Sequence, residues 1–359
     1  MTMNPVLNVP FLPEPSYIDF LTSIEDHLDS LQFCFLGPCR LDSRIRLESL
    51  DMDEQLTTGL ARLRKPKKYV LLNSRFYTPM LLSDSNEFDS VITSLDSFAD
   101  QGLLDGIIYC DHYLLQRLSD EAPDLAASLE AVPGANCMLD SYAKVESWLS
   151  YIGETRFKQP AKILLDRSLN RDLDTLARVV RRIRQKTPDL GIELLANEGC
   201  LPHCPFKLSH DAYIALANVE GNDNTFQLNQ ELGCVRVLGE EPHRILQSPF
   251  IRPEDMELYL YHVDTIKLCG RTLGADFLQQ VITAYIARKH EGNLLDLMDA
   301  VHWLADHLYV ENSALSFDFA NMLSMCDGQC TSCGFCEELF QSITHPLPLT
   351  LRDNRAAVD

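Results

Sequence analysis

Short apolar runs alternate with stretches of helical periodicity over the first 270 residues, the pattern of repeated strand–helix units that build a mainly parallel sheet. The runs fall at residues 6–11, 32–36, 69–73, 106–110, 135–139, 162–165, 192–197, 245–251 and 265–269. Nine runs are one more than a closed eight-stranded barrel requires, so one is expected to be peripheral or wrongly assigned. Between them, residues 17–31, 173–185 and 277–289 have lengths and apolar spacings suited to crossover helices. The strand count favours a TIM-like (β/α)8 barrel over an open, doubly wound sheet. After residue 292 the pattern becomes helical and then Cys-rich. The expected organisation is an α/β barrel over 1–292, a helical, Cys-rich extension over 293–340 and a polar tail over 341–359 that frays.

Composition and charge narrow the function classes. A chain of 359 residues, 46% hydrophobic and 23% charged, has material for one large core. No run approaches a membrane span, and the first fifteen residues lack the basic, apolar and small-residue segments of a secretory signal, so a cytoplasmic protein without membrane contact is expected. The formal charge of −21 repels phosphate backbones, so nucleic-acid binding would need a strong local basic surface. Two basic groups stand out. They are Arg62, Arg64, Lys65, Lys67 and Lys68, and a helix carrying Arg171, Arg178, Arg181, Arg182, Arg184 and Lys186 above apolar Leu173, Leu176, Val180 and Ile183. Solvated helix faces are the plainer reading of both.

Twelve cysteines change the picture most. A reducing compartment and an ample core give disulfides no role, which leaves metal or cluster ligation beside ordinary buried thiols. Their positions fit the carboxyl-end face of a barrel. Cys39 follows the second run, Cys110 ends the fourth, Cys137 lies near the end of the fifth, Cys200 and Cys204 follow the seventh, and Cys269 ends the last. The sharpest local signal is Asn197-Glu198-Gly199-Cys200-Leu201-Pro202-His203-Cys204-Pro205, a loop that could aim two thiolates at one metal. Cys234 is a plausible third ligand, and the fourth could be Cys269, Cys39 or Cys110.

A second signal is Cys326-x3-Cys330-x2-Cys333-x2-Cys336, four thiols within eleven residues. Zinc sites usually use two close pairs separated by a longer loop, whereas this compact spacing favours a cubane. The first three also match the spacing of radical S-adenosylmethionine enzymes. Their place after the barrel, and a fourth thiol able to fill the last iron, argue against that class. No nucleophile elbow, His-Glu-x-x-His helix, phosphate loop or dinucleotide fingerprint occurs. Asp111-His112 and Asp166-Arg167, at strand ends, could do acid–base or anion-binding work, though strand-end caps or salt bridges describe them more simply.

Four segments together resemble the collagenase-like peptidase family U32. They are Asn197-Glu198-Gly199-Cys200 with Cys204-Pro205-Phe206, Ser248-Pro249-Phe250-Ile251-Arg252-Pro253-Glu254-Asp255, Ile266-Lys267-Leu268-Cys269-Gly270-Arg271, and the terminal Cys-rich segment. The resemblance runs from about residue 6 to 340. It implies a barrel-like fold and a [4Fe–4S] cluster, in relatives that hydroxylate quinone precursors or RNA bases without oxygen. Carried over, Cys200, Cys204 and Cys234 are cluster ligands, with Cys269 a candidate fourth where many relatives have an acid. Arg252 and Arg271 are candidates to bind an anionic substrate, since a guanidinium forks onto carboxylates. The terminal cysteines are absent from the quinone branch and leave room for a second cluster.

The function expected on these grounds is a cluster-dependent, oxygen-independent oxidoreductase or hydroxylase of a small aromatic or metabolite substrate, with Arg252, Arg271 and Asp111 at the site. A homologous partner subunit or an electron donor would accompany it. A non-catalytic iron–sulfur accessory protein is the alternative from another class, an RNA base hydroxylase the third, and a peptidase the last.

Overall fold

The computed structural model describes residues 6–35, 41–44, 53–83, 85–221 and 225–347. Eight parallel strands make the central sheet: β1 (Leu7–Pro10), β2 (Leu28–Phe33), β3 (Lys67–Leu72), β4 (Gly106–Tyr109), β5 (Glu130–Pro133), β6 (Lys162–Leu165), β7 (Gly191–Leu195) and β8 (Thr265–Lys267). Their order, β5-β4-β3-β2-β1-β8-β7-β6, brings the two edges round toward each other. A bridge between Glu130 and Lys158 nearly closes the ring, with Lys158 N–H donating to the Leu129 carbonyl at 2.9 Å. This is the expected TIM-like barrel.

The strands are buried on both faces, as parallel strands covered by helices must be. Val9, Leu31, Phe33, Val70, Leu72 and Ile107 point outward into the main apolar core shared with the helices. One such helix, Leu173–Lys186, lays Leu176, Val179, Val180 and Ile183 on the barrel and is capped by Asp172, which accepts from Thr175 N–H at 2.9 Å. Four cations of the two basic groups are paired with carboxylates, Arg62 with Asp19, Lys65 with Asp26, Lys67 with Glu130 and Arg184 with Asp264.

The barrel interior is divided by chemistry. Tyr69, Leu71, Ile108 and Val132 form a small apolar cluster on one side. On the other, Asn8, Ser30, Gln32, Lys162, Glu193 and Lys267 are all buried. Asn8 donates to Glu193 at 2.6 Å and 2.9 Å, and Lys162 pairs with Glu193 at 3.1 Å. Buried charges persist where they are paired and hydrogen-bonded.

Three of the nine expected runs need correction. The second lies earlier, because Ser30 and Gln32 occupy inward positions and hide the alternation. The fifth strand is Glu130–Pro133; residues Ala135–Cys137 form a 3₁₀ turn after it. Residues 245–251 are not a strand: Pro242–Gln247 is a 3₁₀ helix, and Pro249 has no N–H to give a ladder. This extra run belongs to a long excursion between β7 and β8 that also holds helices Lys207–Glu220, Thr225–Leu232 and Cys234–Glu240.

That excursion shares a second apolar cluster with the C-terminal extension, in which Leu201, Leu238, Ile245 and Phe250 meet Leu294, Val301, Phe319 and Phe340. The extension is less helical than its pattern suggests, for it includes a two-stranded antiparallel ribbon, β9 (Leu308–Val310) with β10 (Thr344–Pro346). The tail expected from residue 341 therefore begins later, since 341–346 are helix and strand. Among the described residues no helix is long and apolar enough to cross a membrane.

Candidate active site

Strand ends and the loops after them surround a cavity of about 130 Å³ at the barrel mouth. Lys267 lines it from β8, and Lys207 from the helix that follows the Cys200–Cys204 loop. Arg271 and Arg44 add two guanidinium groups, while Glu198, Asp211 and His210 complete the titratable wall. Each outer cation is held in place: Arg44 pairs with Asp299 at 2.6 Å, Lys207 donates to Asp211 at 2.6 Å and to Asn136 at 2.9 Å, and Arg271 donates to Asp42 at 2.8 Å and to the Cys34 sulfur.

Lys267 differs from these. Its Nζ donates to the Gln32 amide oxygen, and no ion pair among the described residues includes it. Burial, opposed by Glu193 and reinforced by Lys162, pulls its ammonium down to about 8. Lys207 is also lowered, by burial against the pull of Asp211. Burial likewise lowers His210, which favours the neutral imidazole.

The backbone turn that presents Arg271 depends on Gly270, whose φ is +117° and whose missing Cβ would stand 2.2 Å from the Phe277 ring. Gly270→Ala should therefore lower stability by roughly 1–3 kcal/mol, read as a fall in the thermal midpoint. An unchanged midpoint would mean that the turn is not held against Phe277.

The sequence candidates divide between the mouth and the scaffold. Arg271, Cys200 and Cys269 line the cavity. Arg252 does not serve there and is corrected: its fork is closed on Asp255 at 2.7 Å and 2.8 Å, it also donates to the Ser316 carbonyl at 2.9 Å, and it lies over Phe319. Asp111 is a helix cap, accepting from Tyr113 N–H at 2.7 Å. Glu198 pairs with Arg167. Lys267, Lys207 and His210 were missed as site residues. The available signal was their place at an inward strand position and just after the Cys-loop.

The expected barrel ligand set is not gathered round the mouth cavity. Cys204 and Cys234 pack against the second apolar cluster, whereas Cys200 and Cys269 face the cavity. Cys39 lies outside the described residues. Burial pushes the thiols of Cys200, Cys234 and Cys269 up. Among the described residues, no three His, Cys, Asp or Glu side chains are placed to hold one metal ion.

Cys110 behaves differently from these thiols. A hydrogen bond from Cys137, opposed by burial and aided by Arg75 at 3.7 Å, holds its thiol below the usual range, while burial raises Cys137. A small alkylating reagent should label Cys110 before Cys137, and Arg75→Ala should slow that labelling several-fold, as read by peptide mass mapping. Equal labelling of the two would contradict this asymmetry.

No family model matches the chain. A protein of Methanocaldococcus jannaschii named as an uncharacterized protease is 29% identical over 238 residues, 66% of this chain and 65% of that one. The match thus spans just under two thirds of the relative's own length. A solved structure of a U32 peptidase superposes with a TM-score of 0.44 at 15% identity, covering 62% of this chain and 81% of that chain. The expected cluster-dependent oxidoreductase or hydroxylase, with its accessory-protein and RNA-modifying alternatives, is overturned. The sequence relative is named a protease, and among the described residues no three His, Cys, Asp or Glu side chains are placed to hold a metal ion. Placing a peptidase last was likewise unsupported. The chain is thus similar in sequence to a protein named as a protease, and its own motifs resemble those of the U32 peptidases.

Proposed function

We propose that the chain is a hydrolase of small, carboxylate-bearing amide substrates, working at the barrel mouth with Lys267 as general base. The observation that carries this reading is a buried lysine, without a carboxylate partner among the described ion pairs, lowered to about 8 on the wall of a cavity lined by further cations. A general base works best when its pKa lies near the operating pH. With a value of about 8, roughly a tenth of Lys267 is neutral at pH 7. The protease name of the relative supports the reaction class.

In this reading Lys267 Nζ takes a proton from water as the oxygen attacks the amide carbon. The C–N bond then breaks, the proton passes from Nζ to the leaving amine, and the products are a carboxylate and an amine. Arg271 and Lys207, fixed by Asp42 and Asp211, are placed to receive the substrate's carboxylate or the developing oxyanion. A cavity of about 130 Å³ accepts a group of roughly ring size, so the end of a peptide fits better than its middle. The test is mass-spectrometric detection of amine and acid products from a panel of short acidic peptides. Cleavage that depends on Lys267 supports the reading, and no cleavage of any amide in the panel overturns it.

A further inference from the structure

The four terminal cysteines are gathered round a single space. Cys326, Cys330, Cys333 and Cys336 all line an open cavity of about 830 Å³, together with His243 and Arg244 from the excursion between β7 and β8. This cavity is separate from the mouth. Cys326 follows the helix Phe319–Ser324, and Cys336 lies in the first turn of the helix Phe335–Ile343. Both helices are fastened to the second apolar cluster, by Phe319 and Leu323 and by Phe340 and Ile343. Cys330 and Cys333 sit on the single turn between them, with Gly328 at φ +73° and Gly334 at φ +69° reversing the chain on either side.

The thiols are free, and the first three are exposed. An exposed group of free thiols invites oxidation unless something binds it. Gly328 N–H already points at the Cys326 sulfur, 3.4 Å away, the kind of backbone donor that steadies a ligating thiolate. One zinc would need its four sulfurs drawn to within about 2.3 Å of a single point. No three described His, Cys, Asp or Glu side chains are so placed. A cubane spreads its ligands, because each thiolate binds a different iron at a different corner.

We propose that Cys326, Cys330, Cys333 and Cys336 bind one [4Fe–4S] cluster that ties the C-terminal loop to the excursion between β7 and β8. Each thiol gives its proton to solvent and forms one sulfur–iron bond to the assembled cluster as that iron's exogenous thiolate or water ligand leaves, with no change of oxidation state. Arg244, paired with Glu241, and His243 stand beside the thiols, on a wall that also carries Asp327 and Glu337. The cluster's role here is to hold the loop, and the barrel chemistry does not pass through it.

The full chain, purified without oxygen and reconstituted with ferrous and ferric iron in equal amounts and sulfide, tests this. Iron, sulfide and zinc are counted per chain for the wild type, for the double variant Cys330→Ser with Cys333→Ser, and for Cys200→Ala. The double variant should carry about four fewer irons and sulfides than the wild type, while Cys200→Ala keeps that terminal complement. Loading should also shield the 326–336 thiols of the wild type from alkylation, a measurement that does not depend on the variant folding. Wild-type iron and sulfide in the double variant, zinc in place of iron, or unshielded thiols after loading would each overturn the proposal.

Discussion

Replacing Lys267 with methionine should lower the turnover of a cleaved peptide about a hundredfold or more, with KM nearly unchanged, because the substitution removes the base and leaves Arg271 and Lys207 in place. Methionine keeps the length and apolar stem of the side chain, so the barrel should still close round it. The pH profile separates a base from a merely structural lysine. Wild-type turnover should climb with pH and level off above about 8, where Lys267 is neutral. In Lys267→Met that limb should vanish.

Stability supplies an internal control. Lys267 holds its proton less tightly when folded than when unfolded, so between about 8 and the ordinary lysine value the unfolded chain binds more protons, and wild-type stability rises with pH. At pH 7 the native state carries the cost of a buried ammonium, which methionine relieves. The variant should therefore be at least as stable as the wild type there, while failing in catalysis. Full activity in a folded Lys267→Met would remove Lys267 from the mechanism, and a flat wild-type profile from pH 6.5 to 9 would do the same.

The barrel was legible because its strands are short, doubly buried runs, and β6 and β8 lie where the pattern puts them. What blurred the pattern was the polar half of the interior. Ser30 and Gln32 break the apolar alternation of β2, although they point into the barrel and Leu31 and Phe33 point out. The same feature concealed the site. Cysteines attract notice because they are rare, whereas Lys267 reads as an ordinary interruption of Ile266-Lys267-Leu268. Taken with Asn8, Gln32, Lys162 and Glu193 it marks a polar column inside the barrel, which becomes visible only once strand register is known. Arg252 misled in the opposite direction. Its motif offers a guanidinium, yet Asp255, three residues on, is already within reach of it.

That pairing leads to the largest expected effect on stability. Arg252 and Asp255 side chains are 1% and 4% exposed, and Arg252 also reaches the Ser316 carbonyl and the face of Phe319. It therefore joins the later part of the β7–β8 excursion to the C-terminal extension. Arg252→Ala leaves a buried carboxylate without its partner and should cost about 3–5 kcal/mol, read as a lower denaturant midpoint. The pH dependence has a definite sign. Burial already raises the Asp255 carboxyl against the pull of Arg252, and removing the arginine raises it further. A carboxyl held above its unfolded value stabilises the fold below that value and loses the benefit as pH rises through the folded one. The deficit of Arg252→Ala should accordingly be smaller near pH 4 than at neutral pH. Replacing both partners by apolar residues, Arg252→Met with Asp255→Leu, removes the orphaned charge and should recover much of the loss. Amides around Ser316 and Phe319 should exchange faster in the single variant than in the wild type, since that is where the guanidinium is anchored. If the single and double variants unfold at the same midpoint, the cost comes from lost packing over Phe319, and the ion pair is not what joins the extension to the barrel.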